Sequence, residues 1–458
     1  MAKSTGDIIA FLDCDDILTL DAVEKSLAYW NVETKYSFTN RIHINEESLE
    51  IGRFSCDHLP KKDIFEDHLD VKMYASHFKM ISRDVFEKVG VFNSDYNGAQ
   101  DYDMILRIAF HYPRVAFVHV PEFLYKHRLH NKQTSEVVKD KQNEMSLRIS
   151  NQAKMRRDIR KGNFHKFISF IMVSYGKEDQ TLMSVESIRN TVKIPFEIIL
   201  YENGSSPECV QFIKENIEPF EEVKVIYGKK NIGPALGRKE ALKHAKKDCY
   251  YISLDNDIEV TPGWIEELLV RAEESEDIGS VTCRVTFPNE RLQFTGGYEE
   301  ITGSRVEFKL YNIEKSVHDL STLERYITDW NPVGATLFKG WFPVVEGYPN
   351  VYEDSAVSYE LRKNGKILVN SPNSLLIHHH IMFNEERKEK EKDYLDFRYH
   401  PKKMLKSISQ FYFDNKLIIN DDYIYRINGL DNNKMSDQEI INEFEKLAIE
   451  MNSSSSVI

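Results

Sequence analysis

The run Phe167-Ile168-Ser169-Phe170-Ile171-Met172-Val173-Ser174-Tyr175 is apolar without alternation, the pattern of a parallel strand buried on both faces. A helical stretch follows to about Thr191. Residues 196–201 and 223–227 read as further strands, the first ending in the polar turn Glu202-Asn203-Gly204-Ser205. Asn231-Ile232-Gly233-Pro234 opens a helix with Leu236, Ala241, Leu242 and Ala245 on one face. The run Cys249-Tyr250-Tyr251-Ile252-Ser253 then ends at Leu254-Asp255-Asn256-Asp257. Strands alternating with helices in this rhythm predict a doubly wound α/β sheet, whose ligand lies at the carboxyl ends of the strands. The polar clusters fall at such ends.

The front of the chain repeats part of this pattern. Ile8-Ile9-Ala10-Phe11-Leu12 runs into Asp13-Cys14-Asp15-Asp16. Helices are expected around 21–30 and 83–89, and a strand at 115–120. Between the last two stands Gln100-Asp101-Tyr102-Asp103-Met104-Ile105-Leu106-Arg107. Residues 131–161 are polar and helix-prone, with Gly162-Asn163 as a stop signal. Towards the end, residues 385–392 mix charges, and Ser436-x-x-Glu439 is a capping box. It opens a helix with Ile440, Phe444, Leu447 and Met451 on one stripe, so this helix should dock on something. The serines at 453–456 are expected to be disordered. The predicted organisation is a partial domain at 1–130, a helical connector at 131–165, a complete domain at 166–383 and a helical tail at 384–458.

Composition narrows the class. The 458 residues are 41% hydrophobic and 29% charged, enough for two domains with sizeable cores. A net charge of −13 lacks the basic footprint that a nucleic-acid partner requires. Cys14, Cys56, Cys209, Cys249 and Cys283 are scattered, odd in number and without C-x-x-C spacing. They read as reduced thiols of a cytoplasmic protein. No run approaches the ~18–20 apolar residues of a membrane span. Association with a membrane surface or a protein partner stays open.

Two carboxylates one residue apart at the end of a buried strand suit a hard divalent cation with a phosphate on its other side. The alternative is a solvent turn in which Asp and Asn serve as turn formers. As a surface metal ligand rather than a core residue, Asp257 is expected to be replaceable by Ala without loss of the fold.

In this order, the pieces resemble family 2 nucleotide-sugar glycosyltransferases of the A-type nucleotide-binding fold. The resemblance covers roughly residues 166–382. It rests on the strand ending in Ser174-Tyr175, the Glu202-Asn203-Gly204-Ser205 turn, and Asn231-Ile232-Gly233-Pro234-Ala235-Leu236-Gly237-Arg238. It continues with Asp255-Asn256-Asp257, then Tyr352-Glu353-Asp354 and Glu360-Leu361-Arg362-Lys363-Asn364-Gly365. It implies a doubly wound mixed sheet, a nucleotide-diphosphate sugar donor, a carbohydrate or glycoconjugate acceptor, and Mn2+ or Mg2+ as cofactor.

The resemblance also implies roles. Asp257 would ligate the metal, with Asp255 acting through water or the ribose. Ser174, Tyr175, Glu202, Asn203, Gly204, Asn231, Gly233, Arg238, Asp255 and Asn256 would bind the donor. Glu202 stands where the family usually has Asp, and a surface helix residue is the alternative reading of Arg238. Asp354 would be the general base that takes the acceptor proton in an inverting displacement, with Glu353 positioning it. Both also suit a helix N-terminus. A histidine after the strand at 374–377 would complete the metal shell. His378 is favoured over His380, and His379 points to the other face. Trp330, Gly334 and Trp341 fall where the acceptor wall is built, and core packing is an equal reading for the tryptophans.

The first segment resembles the back half of the same family. Its metal motif is Asp13-Cys14-Asp15-Asp16, its base position Asp101, and its closing stretch Tyr125 to His130. The strands that would hold a nucleotide base have no sequence before Asp13. The expectation is therefore a fragment or late start of a longer two-domain enzyme, with Asp13, Asp15 and Asp101 vestigial and one working site per chain. A nucleotidyltransferase is a rival, but Tyr175-Gly176-Lys177-Glu178-Asp179 is a poor phosphate loop. A non-catalytic scaffold is another, at odds with the full motif set of the second segment.

Overall fold

The computed structural model describes residues 4–59, 63–71, 73–96, 98–130, 139–380 and 392–454. The chain forms two compact units. One is Met1–Asp158 with His318–Glu324, and the other is Ile159–Val317 with Arg325–Ile458.

The second unit is built on a ten-stranded mixed sheet. Eight strands lie in the order Ile258–Val260, Ile367–His378, Ile278–Thr286, Ala335–Lys339, Tyr250–Asp255, Ile168–Ser174, Phe196–Glu202, Val223–Tyr227, and Leu292–Phe294 and Ile327–Thr328 branch from Ile278–Thr286 and Ile367–His378. The last four strands of this order run parallel, with Asp255 opposite Val173, Ser174 opposite Glu202 and Glu202 opposite Tyr227. This register brings the expected polar turns to one end of the sheet. Ile168, Phe170, Ile171 and Met172 are fully buried, as a strand covered on both faces requires. Ala335–Lys339 runs antiparallel between two neighbours, setting Ala335 beside Leu254. The expected doubly wound α/β architecture is present.

One helix departs from its predicted face. Pro234–Leu242 stops before Ala245, and Leu236 is exposed. It buries Ala235, Gly237 and Arg238 besides the expected Ala241, while Leu242, and Ala245 beyond its end, pack against the core as expected. A Cβ at Gly237 would come within 2.9 Å of a Val173 methyl, so glycine lets this helix lie directly on the first strand. That approach carries Arg238 to the sheet end.

The tail docks within the same unit. Ile418–Ile419 adds a parallel strand to Arg305–Leu310. Ile408, Phe411, Ile424, Tyr425, Ile440 and Phe444 pack with Val306 and Tyr348 in one cluster. Leu447 packs against that cluster, and the Met451 side chain lies outside the description. Each fully buried Ile or Phe here contributes ~1.5–3 kcal/mol. The capping box forms: Ser436 N–H donates to Glu439 Oε2 at 2.7 Å, and Glu439 N–H to Ser436 Oγ at 3.4 Å. The helix Asp437–Ser454 includes the first serines of the terminal run; 455–458 and most of the charged stretch at 385–392 lie outside the described residues.

The first unit repeats half of the second unit's sheet. Its order is Ile8–Ala10, Met80–Ser82, Tyr36–Ile44, Phe117–Arg128, Ile17–Leu18. The successive pairings are antiparallel, antiparallel, parallel, antiparallel. From Tyr250–Asp255 through Ala335–Lys339, Ile278–Thr286 and Ile367–His378 to Ile258–Val260, the second unit has the same directions. The strand expected at 115–120 runs from Phe117 to Arg128 and absorbs most of the closing stretch. The helix Lys139–Arg160, which covers most of the expected connector, sends Met145, Ile149 and Ala153 into this unit's core. Among the described residues, no helix is long and apolar enough to cross a membrane.

Candidate active site

The strand Tyr250–Asp255 delivers Asp255 to the sheet end, and the turn after it carries Asn256 and Asp257 inward. Asn256 Nδ2 donates to Thr181 Oγ1 at 2.9 Å and to Ser174 Oγ at 3.4 Å, which fixes the turn. Asp257 is only 3% exposed. Lys177 Nζ lies 2.8 Å from its Oδ2, and His378 Nε2 lies 3.1 Å from its Oδ1. Burial pushes the Asp257 carboxyl up, but His378 and Lys177 outweigh it and hold the group well below the usual carboxylate range.

His378 ends its strand directly opposite Ile258, the residue after Asp257. Its Nδ1 is 2.7 Å from Gln293 Oε1, so that nitrogen donates and Nε2 is turned to Asp257. One ligand atom each from Asp255, Asp257 and His378 lies within 4.8 Å of the others. Two carboxylates and an oriented imidazole are a fitting donor set for a divalent cation. His379 pairs with Glu259 at 2.8 Å instead, and the His380 ring stands across that of His378 at 5.0 Å.

A second set of charges lies beside the first. Arg238 is buried; its Nη2 donates to Asp255 Oδ1 at 2.8 Å and its Nη1 to Glu353 Oε1 at 2.5 Å. Burial opposes the Arg238 charge, and Glu353, Asp255 and Asp354 more than restore it. Glu353 and Asp354 open the helix Glu353–Lys363, and Asp354 Oδ1 accepts from the Val333 N–H at 3.1 Å. Burial raises both carboxyls, Glu353 to about 7, against the pull of Arg238. Both carboxyls therefore keep their protons to higher pH than an exposed carboxylate does.

A cavity of about 480 Å³ joins these groups. Tyr175, Asn203, Asn231, Arg238, Asp255, Asn256 and Asp257 line it, as do Trp330, Gly334, Glu353, Asp354 and His378. Ser174 is buried behind it and bonds Thr181 at 3.1 Å. Glu202 turns its carboxylate into its own turn, accepting from Gly204 N–H at 3.1 Å and Ser205 N–H at 2.7 Å. Asn203 ties the two donor-side loops together through Asn231 at 3.1 Å and Ile232 N–H at 2.9 Å. Gly204 and Gly233 act through the backbone: both have positive φ, and a Cβ on either would stand 2.5 Å from backbone atoms of Lys230 or Pro349. Trp330 sends its indole N–H to Tyr298 O at 3.2 Å and Lys309 O at 3.1 Å. Trp341 is 42% exposed and is not among the lining residues.

Sequence reasoning missed Lys177, Gln293 and the tail. Tyr394, Phe397, Arg398 and Asp421 line the same cavity. Lys177 Nζ lies 4.8 Å from the Tyr394 ring centroid. Nearby Tyr394, Asp255 and Asp354 favour the Arg398 cation. The motif spacing held no signal for a tail so far along the chain.

In the first unit, Asp101 pairs with buried Lys79 at 2.7 Å. Asp15 meets His130 at 3.1 Å. Asp13 is raised chiefly by burial, with Lys79 lowering it and Asp101 raising it.

The family model described as Glycosyl transferase family 2 matches residues 1–90 and 169–324. The O-antigen biosynthesis protein RfbC of Myxococcus xanthus is 24% identical over 66% of this chain and 24% of its own length. The chondroitin synthase of Pasteurella multocida (strain Pm70) is 25% identical over 55% of this chain and 27% of its own. The chain thus spans about a quarter of the length of these relatives. Among solved structures, the Pyrobaculum calidifontis mannosyltransferase PcManGT in complex with GDP-Man and Mn2+ is similar at 11% identity and a TM-score of 0.37. That likeness covers 59% of this chain and 73% of that one. With more than half of its residues matched by the family model, the chain belongs to the glycosyltransferases of family 2.

Proposed function

We propose that the second unit is a metal-dependent inverting glycosyltransferase that moves a sugar from a nucleotide-diphosphate donor to a hydroxyl acceptor. The observation that carries this reading is the convergence of two charge sets on one cavity. Asp255, Asp257 and His378 stand in one, Glu353 and Asp354 in the other. Asp255, Asp257 and His378 would hold Mn2+ or Mg2+, which supplies Lewis-acid stabilisation of the diphosphate leaving group.

The chain's own groups do the rest. Asn203 and Asn231 shape the donor side, and Tyr175 lines it. Arg238 holds Asp255 and Glu353 in place. Asp354, oriented by the Val333 N–H, takes the acceptor proton as its oxygen attacks the anomeric carbon, and one such base suffices for inversion. Trp330 and Gly334 border the acceptor side. Pocket walls fixed by buried hydrogen bonds hold the two substrates in attack geometry.

The names of the relatives, an O-antigen biosynthesis protein and a chondroitin synthase, support polysaccharide or glycoconjugate synthesis as the setting. Five free cysteines support a cytoplasmic location, with membrane or protein association left to partners. The repeated half sheet supports a tandem arrangement, and the Lys79–Asp101 pair supports a first unit that does not turn over donor. The test is a screen of nucleotide sugars with Mn2+ on the full chain, read by thermal shift and by nucleoside-diphosphate release. A donor that gives both, each lost in excess chelator, is expected. Release unaffected by chelator overturns the metal-dependent reading.

A further inference from the structure

The first unit carries a second cluster with metal-site chemistry. His77 precedes the strand Met80–Ser82, His127 lies near the end of Phe117–Arg128, and Asp16 precedes Ile17–Leu18. One ligand atom from each lies within 4.8 Å of the others. The two imidazole rings stack with centroids 5.0 Å apart. Asp16 is 9% exposed and is held from behind. The Tyr125 hydroxyl donates to its Oδ2 at 2.6 Å, and the Arg128 N–H to its Oδ1 at 2.7 Å. Each oxygen keeps a lone pair, and outer donors of this kind orient ligating carboxylates. His77 Nδ1 lies 2.7 Å from Ser76 Oγ, which turns Nε2 towards Asp13 Oδ2 at 3.9 Å. Arg41, 3.1 Å from that Nδ1, and Lys79 are opposing cations, set against the carboxylates of Asp13, Asp15 and Asp16.

Strand register shows that this set is not a copy of the one in the second unit. Ala10 pairs with Met80, and carrying that register onward sets Asp13 opposite His77. In the second unit the same register sets Asp255 opposite Gly334. Ile17 pairs with Lys126, which sets Asp16 opposite His127; the matching pair is Ile258 and His378. Only His127 thus has a ligating counterpart. Histidine stands in place of Gly334 and aspartate in place of Ile258, two positions that offer no ligand in the other unit. Both changes put donors at one point.

We propose that Asp16, His77 and His127 form a divalent-cation site of their own in the first unit. Two imidazoles and one carboxylate suit borderline ions such as Zn2+, Co2+ and Mn2+. The proposal does not depend on turnover by the second unit.

The test uses the full chain carrying Asp257→Asn and His378→Ala, which removes two of the three donors of the second unit's set. Calorimetric titration with Zn2+ is expected to give one equivalent. Adding His77→Ala, or the near-isosteric Asp16→Asn, should weaken that binding at least tenfold with an unchanged circular dichroism spectrum. Pulsed electron paramagnetic resonance of the Mn2+-loaded background protein should show two coordinated imidazole nitrogens, a readout that needs no further substitution. Absence of Zn2+ binding in the background protein, affinity unmoved by both substitutions, or no imidazole coupling would overturn the proposal.

Discussion

Gly334 and Asp255 stand so close that a Cβ on the glycine would lie 2.2 Å from Asp255 Oδ2. The two are bound through the backbone as well, Asp255 N–H donating to Gly334 O at 2.9 Å. The glycine therefore belongs to the carboxylate's own packing as much as to any acceptor wall. Gly334→Ala should displace the Asp255 carboxylate and break its contact with Arg238. Overpacking of this kind costs ~1–3 kcal/mol. A melting shift together with at least tenfold weaker Mn2+ affinity is expected; unchanged Mn2+ affinity would mean that Asp255 is not a ligand.

Asp257 shows where burial changes the design of an experiment. It is not the exposed, freely replaceable ligand that the sequence suggested, because Lys177 and His378 both face it in a nearly dry site. Truncation to Ala would strand the Lys177 cation, and breaking a buried pair costs ~3–5 kcal/mol. Asp257→Asn removes the charge but keeps the shape and an acceptor oxygen for Lys177. Metal-dependent donor release should vanish while the melting point falls only a few degrees. Wild-type release from this variant would contradict the assignment of Asp257 as ligand.

Asp354→Asn tests the base. Asn keeps an oxygen for the Val333 N–H, so the loop at 331–335 should hold. The turnover number should fall by ~10²–10⁴, the usual contribution of a positioned base. Donor affinity should stay within twofold, since the base acts on the acceptor in the transition state. Collapse of donor affinity would make Asp354 a binding residue.

The raised Glu353–Asp354 pair gives a pH dependence. With Glu353 raised to about 7 in the folded protein, above its ordinary carboxylate range, the folded state holds a proton that the unfolded chain has already lost. This contribution to stability is present below the unfolded value and disappears as pH rises through 7. Activity runs the other way, because a base must be free of its proton. The acidic limb of kcat/KM should lie above the usual carboxylate range, and Glu353→Gln should move it to lower pH by removing one carboxylate from the pair. A limb that stays in place would detach Glu353 from the base.

The sheet and the turns at its end were legible because buried parallel strands write continuous apolar runs, and two of these ran straight into Glu202-Asn203 and Asp255-Asn256-Asp257. What those turns do with their side chains was not legible. Glu202 and Asn203 look alike as polar turn residues, yet one folds back onto Gly204 and Ser205 while the other joins two loops. Gln293 and Arg398 reach the cavity through long-range packing, which leaves no spacing to read. Gly237 was hidden for the opposite reason: its importance lies in the Cβ it lacks.

The first unit yields the last prediction. Its sheet follows the second unit's strand order, and Asp101 opens the helix that matches Glu353–Lys363. In place of a carboxylate facing a cavity, however, Asp101 meets Lys79, whose side chain is 7% exposed and whose Nζ lies 5.7 Å from the Phe11 ring centroid. That contact turns Asp101 Oδ2 to the lysine in place of an acceptor hydroxyl. One donor site per chain is therefore expected, in the second unit. Titration with the correct nucleotide should give a stoichiometry near one, and Asp101→Asn should leave kcat unchanged while lowering the melting temperature through the loss of the Lys79 partner. A stoichiometry of two, or a turnover number that falls with Asp101→Asn at full folding, would show that the first unit works as a second transferase.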